Sequence, residues 1–67
     1  MKVMLHKNPA GHLSVYVPKK DLEEEVVKET VMQEGILMTL ANGWELLFSK
    51  LEEPLKLPIT TEARKIA

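Results

Sequence analysis

Two histidines flank the first predicted turn and are the side chains best suited to begin a metal site. His6 and His12 stand on either side of residues 8–11, so their imidazoles could approach each other across a hairpin, with a nearby glutamate as a third ligand. The alternative is that both are exposed residues at the end of the hairpin. We favour the alternative, because the sequence has no cysteine and no HExxH spacing. We therefore predict no metal site, with His6 and His12 as weak candidates.

The remaining polar residues do not predict an enzyme. Ser14 and Ser49 are isolated from any nucleophile motif, and the three glycines are too far apart to form a phosphate-binding loop. The carboxylates of residues 23–25 could supply a general acid and base, but such runs are more often solvated. We expect a protein with no catalytic residues and no cofactor.

Trp44 and one short charged segment are the candidates for contact with a partner. The tryptophan either packs into the core or presents its ring to a partner, and packing is favoured because the chain has only one Trp, one Tyr and one Phe. Lys19, Lys20 and Asp21 precede the acidic residues 23–25, and this separation of charge suits steering towards a charged protein surface. A solvated loop is the ordinary alternative. The candidate partner-binding residues are Lys19, Lys20, Asp21 and Trp44.

Two hairpins position most of these residues. Residues 13–17 are apolar at every second position, and with residues 3–5 they flank an Asn-Pro-Ala-Gly turn. Residues 36–41 and 44–48 flank an Asn-Gly pair, which is typical of a type I′ turn. Met4 and Met38 are expected in the core.

The segments outside the hairpins are less distinctive. Residues 25–31 are rich in β-branched side chains and predict a strand, preceded by at most one helical turn near residues 21–24. Residues 55–57 alternate as a short last strand, and residues 60–64 form either a turn of helix or a frayed end. Five or six short strands predict an all-β fold, a small antiparallel barrel-like sheet.

Length and charge limit the class of protein. A chain of 67 residues has room for one domain, residues 1–67. Nine basic and ten acidic residues leave a formal net charge of -1, which argues against nucleic-acid binding through phosphates. The apolar runs are far shorter than the ~20 residues of a membrane helix, and the N-terminus lacks the apolar part of a secretory signal. We expect a cytoplasmic protein with no membrane or nucleic-acid partner.

Three segments are distinctive strings rather than generic strand or turn sequence. They read YVPKKDLEE at residues 16–24, TLANGW at residues 39–44 and LPITTEAR at residues 57–64. All three resemble segments of the NifT/FixU family of nitrogen-fixation proteins. Because their order and spacing and the total length also match, the resemblance covers essentially the whole chain.

The resemblance implies a small barrel-like β fold and a role associated with nitrogenase maturation, with no known catalytic residues to carry over. We therefore predict a non-enzymatic accessory protein of nitrogen fixation that acts by protein–protein contact in nitrogenase assembly or maturation. Its expected partner is a nitrogenase component or a nitrogenase assembly protein. Two alternatives stay open: a metal-handling protein that uses His6 and His12, and a small-barrel module that binds nucleic acid.

Overall fold

The computed structural model describes residues 1–49 and 57–67, and it confirms the predicted all-β fold. Residues 13–17 form a strand in which every second residue is apolar, and β-branched residues dominate the strand over residues 26–31. One 3-10 turn at Pro18–Lys20 accompanies the strands. The strands are β1 Lys2–Lys7, β2 Leu13–Val17, β3 Leu22–Met32, β4 Gly35–Leu40, β5 Glu45–Phe48, β6 Ile59–Glu62 and β7 Arg64–Lys65.

The strands form one antiparallel sheet whose two outer strands are consecutive in the chain. The order is β6-β1-β2-β3-β4-β5-β7, and only Ala63 separates β6 from β7. The amide of Ala63 donates to the carbonyl of Met1 at 2.8 Å, and the N-terminal ammonium group donates to the carbonyl of Ala63 at 2.7 Å. The chain itself therefore joins the two margins of the sheet, and the result is a nearly closed barrel.

The core consists of the side chains that point into this barrel. Met38 is buried as predicted, whereas Met4 is 36% exposed. Met4 lies between Val3 and Leu5 on β1, and successive side chains of a strand point to opposite faces of the sheet, so burial of its neighbours turns it outward. The core residues are Val3, Leu5, Val15, Val17, Met38, Leu40, Leu46, Phe48 and Ala63.

Strand β3 pairs with a different strand along each of its two halves. Residues 22–25 pair with β2 and residues 26–32 pair with β4, with a shift of register between Val26 and Lys28. The predicted strand at residues 25–31 is therefore confirmed, and it extends further at both ends. A β-bulge of this kind lets a strand bend from one half of a rolled sheet into the other.

The helical turn lies earlier than the predicted residues 21–24. Pro18 begins it, because proline holds φ near the helical value, and Asp21 ends it with a left-handed φ of 46°. Leu22 already belongs to β3. At the C-terminal end, the strands β6 and β7 occupy the residues expected to form a helical turn or to fray. The predicted strand at residues 55–57 falls outside the described residues, apart from Leu57, which lies in a bend.

Both predicted hairpins are present, but the turn of the second is of a different type. The amide of Gly43 donates to the carbonyl of Leu40, and the amide of Leu40 donates to the carbonyl of Trp44. Gly43 has a φ of 96°, whereas Asn42 does not have a positive φ. A type I′ turn needs both, so that prediction is wrong. The connection is a three-residue loop that ends in a left-handed glycine. No helix in the described part of the chain has the length and apolar character needed to cross a membrane.

Candidate functional site

Trp44 lies at the edge of the core with two lysines against its ring. The side chain is half-buried and packs against the core. The Nζ atom of Lys65 lies 4.9 Å from the centroid of the indole ring, and that of Lys20 lies 5.8 Å from it. Both distances are within the range of a cation–π contact. Trp44 therefore packs against the core, as the favoured alternative predicts, and its ring also lies close to two ammonium groups. Whether the ring is presented to a partner stays a prediction.

Two separate elements bring the lysines to the ring. Lys20 ends the 3-10 turn that follows β2. Lys65 lies on β7, directly opposite Leu46 of β5, and directly opposed residues of an antiparallel pair share one face of the sheet. Trp44 is two residues before Leu46 and is on that face, whereas Glu45 is on the other face. The strand pairing thus places Lys65 beside Trp44.

Asp21 has a structural partner of its own. The hydroxyl of Tyr16 donates a hydrogen bond to Oδ1 of Asp21 at 3.0 Å. This hydrogen bond, together with the negative charge of Asp21, raises the pKa of the Tyr16 hydroxyl above its ordinary value. Asp21 therefore links the left-handed end of the 3-10 turn to the outer face of β2.

The exposed Lys19 lies on the same turn as Lys20. We call the set formed by Trp44, Lys19, Lys20 and Lys65 the aromatic–basic patch. Sequence reasoning named the first three, and the structure brings Lys20 and Trp44 together. Lys65 was missed because nothing in its neighbourhood in the sequence distinguishes it. Such a patch can contact an apolar or aromatic group through the indole and an acidic group through the ammonium ions.

The two histidines are each bonded to a different glutamate. Nε2 of His6 lies 2.6 Å from Oε1 of Glu23, and Nδ1 of His12 lies 3.0 Å from Oε1 of Glu25. The side-chain amide of Asn8 donates to the other oxygen of Glu25 at 3.0 Å. These contacts join the first hairpin to β3. Within residues 1–49 and 57–67, no group of three or more His, Cys, Asp or Glu side chains is arranged to hold a metal ion.

Comparison with known proteins shows similarity along nearly the whole chain. A family model described as NifT/FixU protein matches residues 1–63. Protein FixU homolog of Sinorhizobium fredii is 49% identical over 67 residues, which cover 98% of this chain and 87% of the relative. Protein NifT of Azotobacter vinelandii is 36% identical over 66 residues, which cover 94% of this chain and 90% of the relative. Protein MosB of Rhizobium meliloti is 42% identical over 69 residues, which cover 98% of this chain but 13% of MosB.

Proposed function

Because the chain belongs to the NifT/FixU family, which is related to nitrogen fixation, we propose that it is a non-enzymatic accessory protein of that process. In this proposal it acts in the cytoplasm by contact with another protein during nitrogenase assembly or maturation. The partner is a nitrogenase component or a nitrogenase assembly protein. The aromatic–basic patch is the surface through which the contact is made.

The observation that carries this proposal is the position of Trp44 between the core and the lysines. Tryptophan is enriched among the residues that dominate binding energy at protein interfaces, because it buries a large area with few rotatable bonds. Packing against the core holds the ring in place before a partner arrives, which lowers the ordering cost of binding. Lys20 and Lys65 add charge at its border, and charged residues at an interface border raise the rate of encounter.

Recovery of crosslinked complexes from nitrogen-fixing cells tests the proposal. A tagged chain should co-purify a nitrogenase component or an assembly protein after mild crosslinking. The double variant Lys20→Gln/Lys65→Gln should lose most of that recovery, because it removes both charges beside Trp44. The matched control is Lys2→Gln/Lys7→Gln, which removes two exposed charges from β1 and should co-purify as much partner as the unmodified chain.

Two outcomes would contradict the proposal. The first is recovery of the tagged chain alone from nitrogen-fixing cells. The second is equal loss of the partner in both double variants, which would show that the effect comes from total charge and not from the surface around Trp44.

A further inference from the structure

Among the described residues 1–49 and 57–67, the second half of β3 pairs with a strand on one side only. Residues 22–25 of this strand pair with β2, and residues 26–32 pair with β4. In the described part of the chain, no strand pairs with the opposite edge of residues 28–32. An unpaired edge presents a row of backbone amide and carbonyl groups that an added strand can satisfy.

An open cleft lies where this free edge begins. It has a volume of about 270 Å³ and combines apolar side chains with polar ones. It is located at the start of β2, where the pairing of β2 with β3 ends at Ser14 and Glu25. The lining residues are His12, Leu13, Val26, Val27, Lys28 and Glu29.

Apolar side chains next to this edge are exposed. Val31 is 84% exposed and Val27 is 62% exposed, although valines of a strand are normally at least half-buried against a neighbour. Neither residue belongs to the core. We call the edge of residues 28–32 opposite to β4 the free edge. Its backbone groups are available for pairing, and the apolar side chains next to it do not contribute to the core.

We propose that an extended segment of a partner protein adds to this edge as a strand antiparallel to β3. The added strand runs in the same direction as β2. It lies beside residues 28–32 of β3, on the edge opposite to β4. One apolar side chain of the segment enters the cleft beside Val27. A basic side chain faces Glu29 and an acidic one faces Lys28. This surface shares no residue with the aromatic–basic patch, so the proposal stands or falls independently of it.

A second copy of this chain fits the edge less well than a strand of different sequence. If two copies of this chain pair their β3 strands antiparallel, a two-fold axis relates them. One residue of β3 then lies opposite the same residue of the second copy. Centring the pair on Glu29 sets two carboxylates against each other, which is destabilising. Centring it on Thr30 places each charged side chain opposite an apolar one. Centring it on Val31 leaves only three paired residues, because β3 ends at Met32.

A short peptide designed for this edge tests the proposal. The probe is acetylated and amidated Val-Thr-Lys-Glu-Val, whose lysine faces Glu29 and whose glutamate faces Lys28 in the antiparallel register. Its binding is followed by amide NMR spectra of the whole chain. At saturation we expect shifts at the amides of residues 28–32 and about tenfold slower hydrogen exchange at those that face the edge. The same peptide with every backbone amide methylated should have no effect, since it cannot donate to β3.

Two variants keep the test specific. Val31→Lys, at a highly exposed position, should weaken peptide binding about tenfold, and Ile66→Lys, at another exposed apolar position outside the edge, should leave it unchanged. The proposal is overturned if the probe causes no shifts at residues 28–32, or if the methylated peptide acts equally well. It is also overturned if sedimentation shows a dimer of this chain that Val31→Lys abolishes, because the edge would then belong to a second copy.

Discussion

The ammonium group of Lys65 lies 4.9 Å from the centre of the Trp44 indole ring, although Lys65 is on β7 and Trp44 is in the loop before β5. The contact exists because β7 pairs with β5 and places Lys65 opposite Leu46. It joins the strand that completes the barrel to the loop between β4 and β5. Any change that detaches β7 should therefore be visible at Trp44.

Substitution of Lys65 tests this contact directly. Lys65→Met keeps much of the aliphatic length but removes the charge, and we expect a loss of about 0.5–1 kcal/mol in the free energy of unfolding. Trp44 is the single tryptophan, so its fluorescence emission should also shift. Lys2→Met, on β1, is the control and should leave the emission unchanged. Identical spectra and stabilities for the two variants would contradict the assigned contact.

Gly35 at the start of β4 should not tolerate a side chain. Its φ is 142°, and a Cβ atom there would collide with the carbonyl oxygen of Phe48. We expect Gly35→Ala to lower the free energy of unfolding by about 2–5 kcal/mol, from backbone strain and steric overlap together. Gly43→Ala is the control, since Gly43 has a φ of 96° but no atom within 4 Å of the added Cβ; it should cost only the strain, about 1–2 kcal/mol. Urea denaturation measures both, and an equal loss would show that Phe48 imposes no constraint.

The hydrogen bond between Tyr16 and Asp21 predicts a pH dependence at high pH. The folded-state pKa of Tyr16 is raised above 10.0 by the hydrogen bond and the charge of Asp21. The protonated hydroxyl therefore contributes stability that is fully present below a pH of about 10 and is lost as the pH rises through the folded-state value. Asp21→Asn removes the charge, and asparagine tolerates the left-handed backbone. The ultraviolet titration of this single tyrosine should move to lower pH.

The control for this titration is Glu29→Gln, which removes a carboxylate that does not contribute to the shift of Tyr16. Its tyrosine titration should match that of the unmodified chain. If Asp21→Asn also leaves the midpoint in place, the pKa of Tyr16 is not set by Asp21.

The half-buried Asn8 should stabilise the first turn through its side chain. Its side-chain oxygen accepts from the amides of Ala10 and His12 at 3.0 and 2.9 Å, and its amide donates to Glu25. We expect Asn8→Ala to lower the free energy of unfolding by about 1–3 kcal/mol, since it removes three hydrogen bonds at one turn. Asn42→Ala removes one such bond, to the amide of Trp44, and should cost about 0.5–1.5 kcal/mol. Thermal unfolding that ranks the two variants in the reverse order would contradict this assignment.

Much of the fold could be predicted because its signals are local. Alternation along residues 13–17 and the turn residues on either side identify a hairpin without reference to the rest of the chain. The wrong predictions concern Met4 and the type of the second turn, and in both cases the outcome depends on tertiary structure. Met4 is as apolar as its neighbours, so its exposure depends on which face of β1 the barrel buries. The Asn-Gly pair marks the second turn, but the φ of Asn42 depends on how the two strands align.

The candidate site could be predicted only in part. Lys20 and Trp44 belong to segments with distinctive turn chemistry, and their approach in space is a consequence of the barrel. Lys65 carries no local signal, since its role follows from pairing with a strand far earlier in the chain. His6 and His12 were named as possible metal ligands, and the structure sets each of them against its own glutamate on β3.

By itself, the sequence determined the β-rich fold, the position of the hairpins and the resemblance to one family, because each of these depends on residues close together in the chain. Only the tertiary structure decided that β6 and β7 close the barrel through Ala63, and that Lys65 lies beside Trp44. It also decided that, within the part of the chain that the structure describes, residues 28–32 of β3 pair with β4 alone. The reason is physical. Strand pairing joins residues that are distant in sequence. The unpaired edges of a sheet therefore depend on all of its strand pairings together.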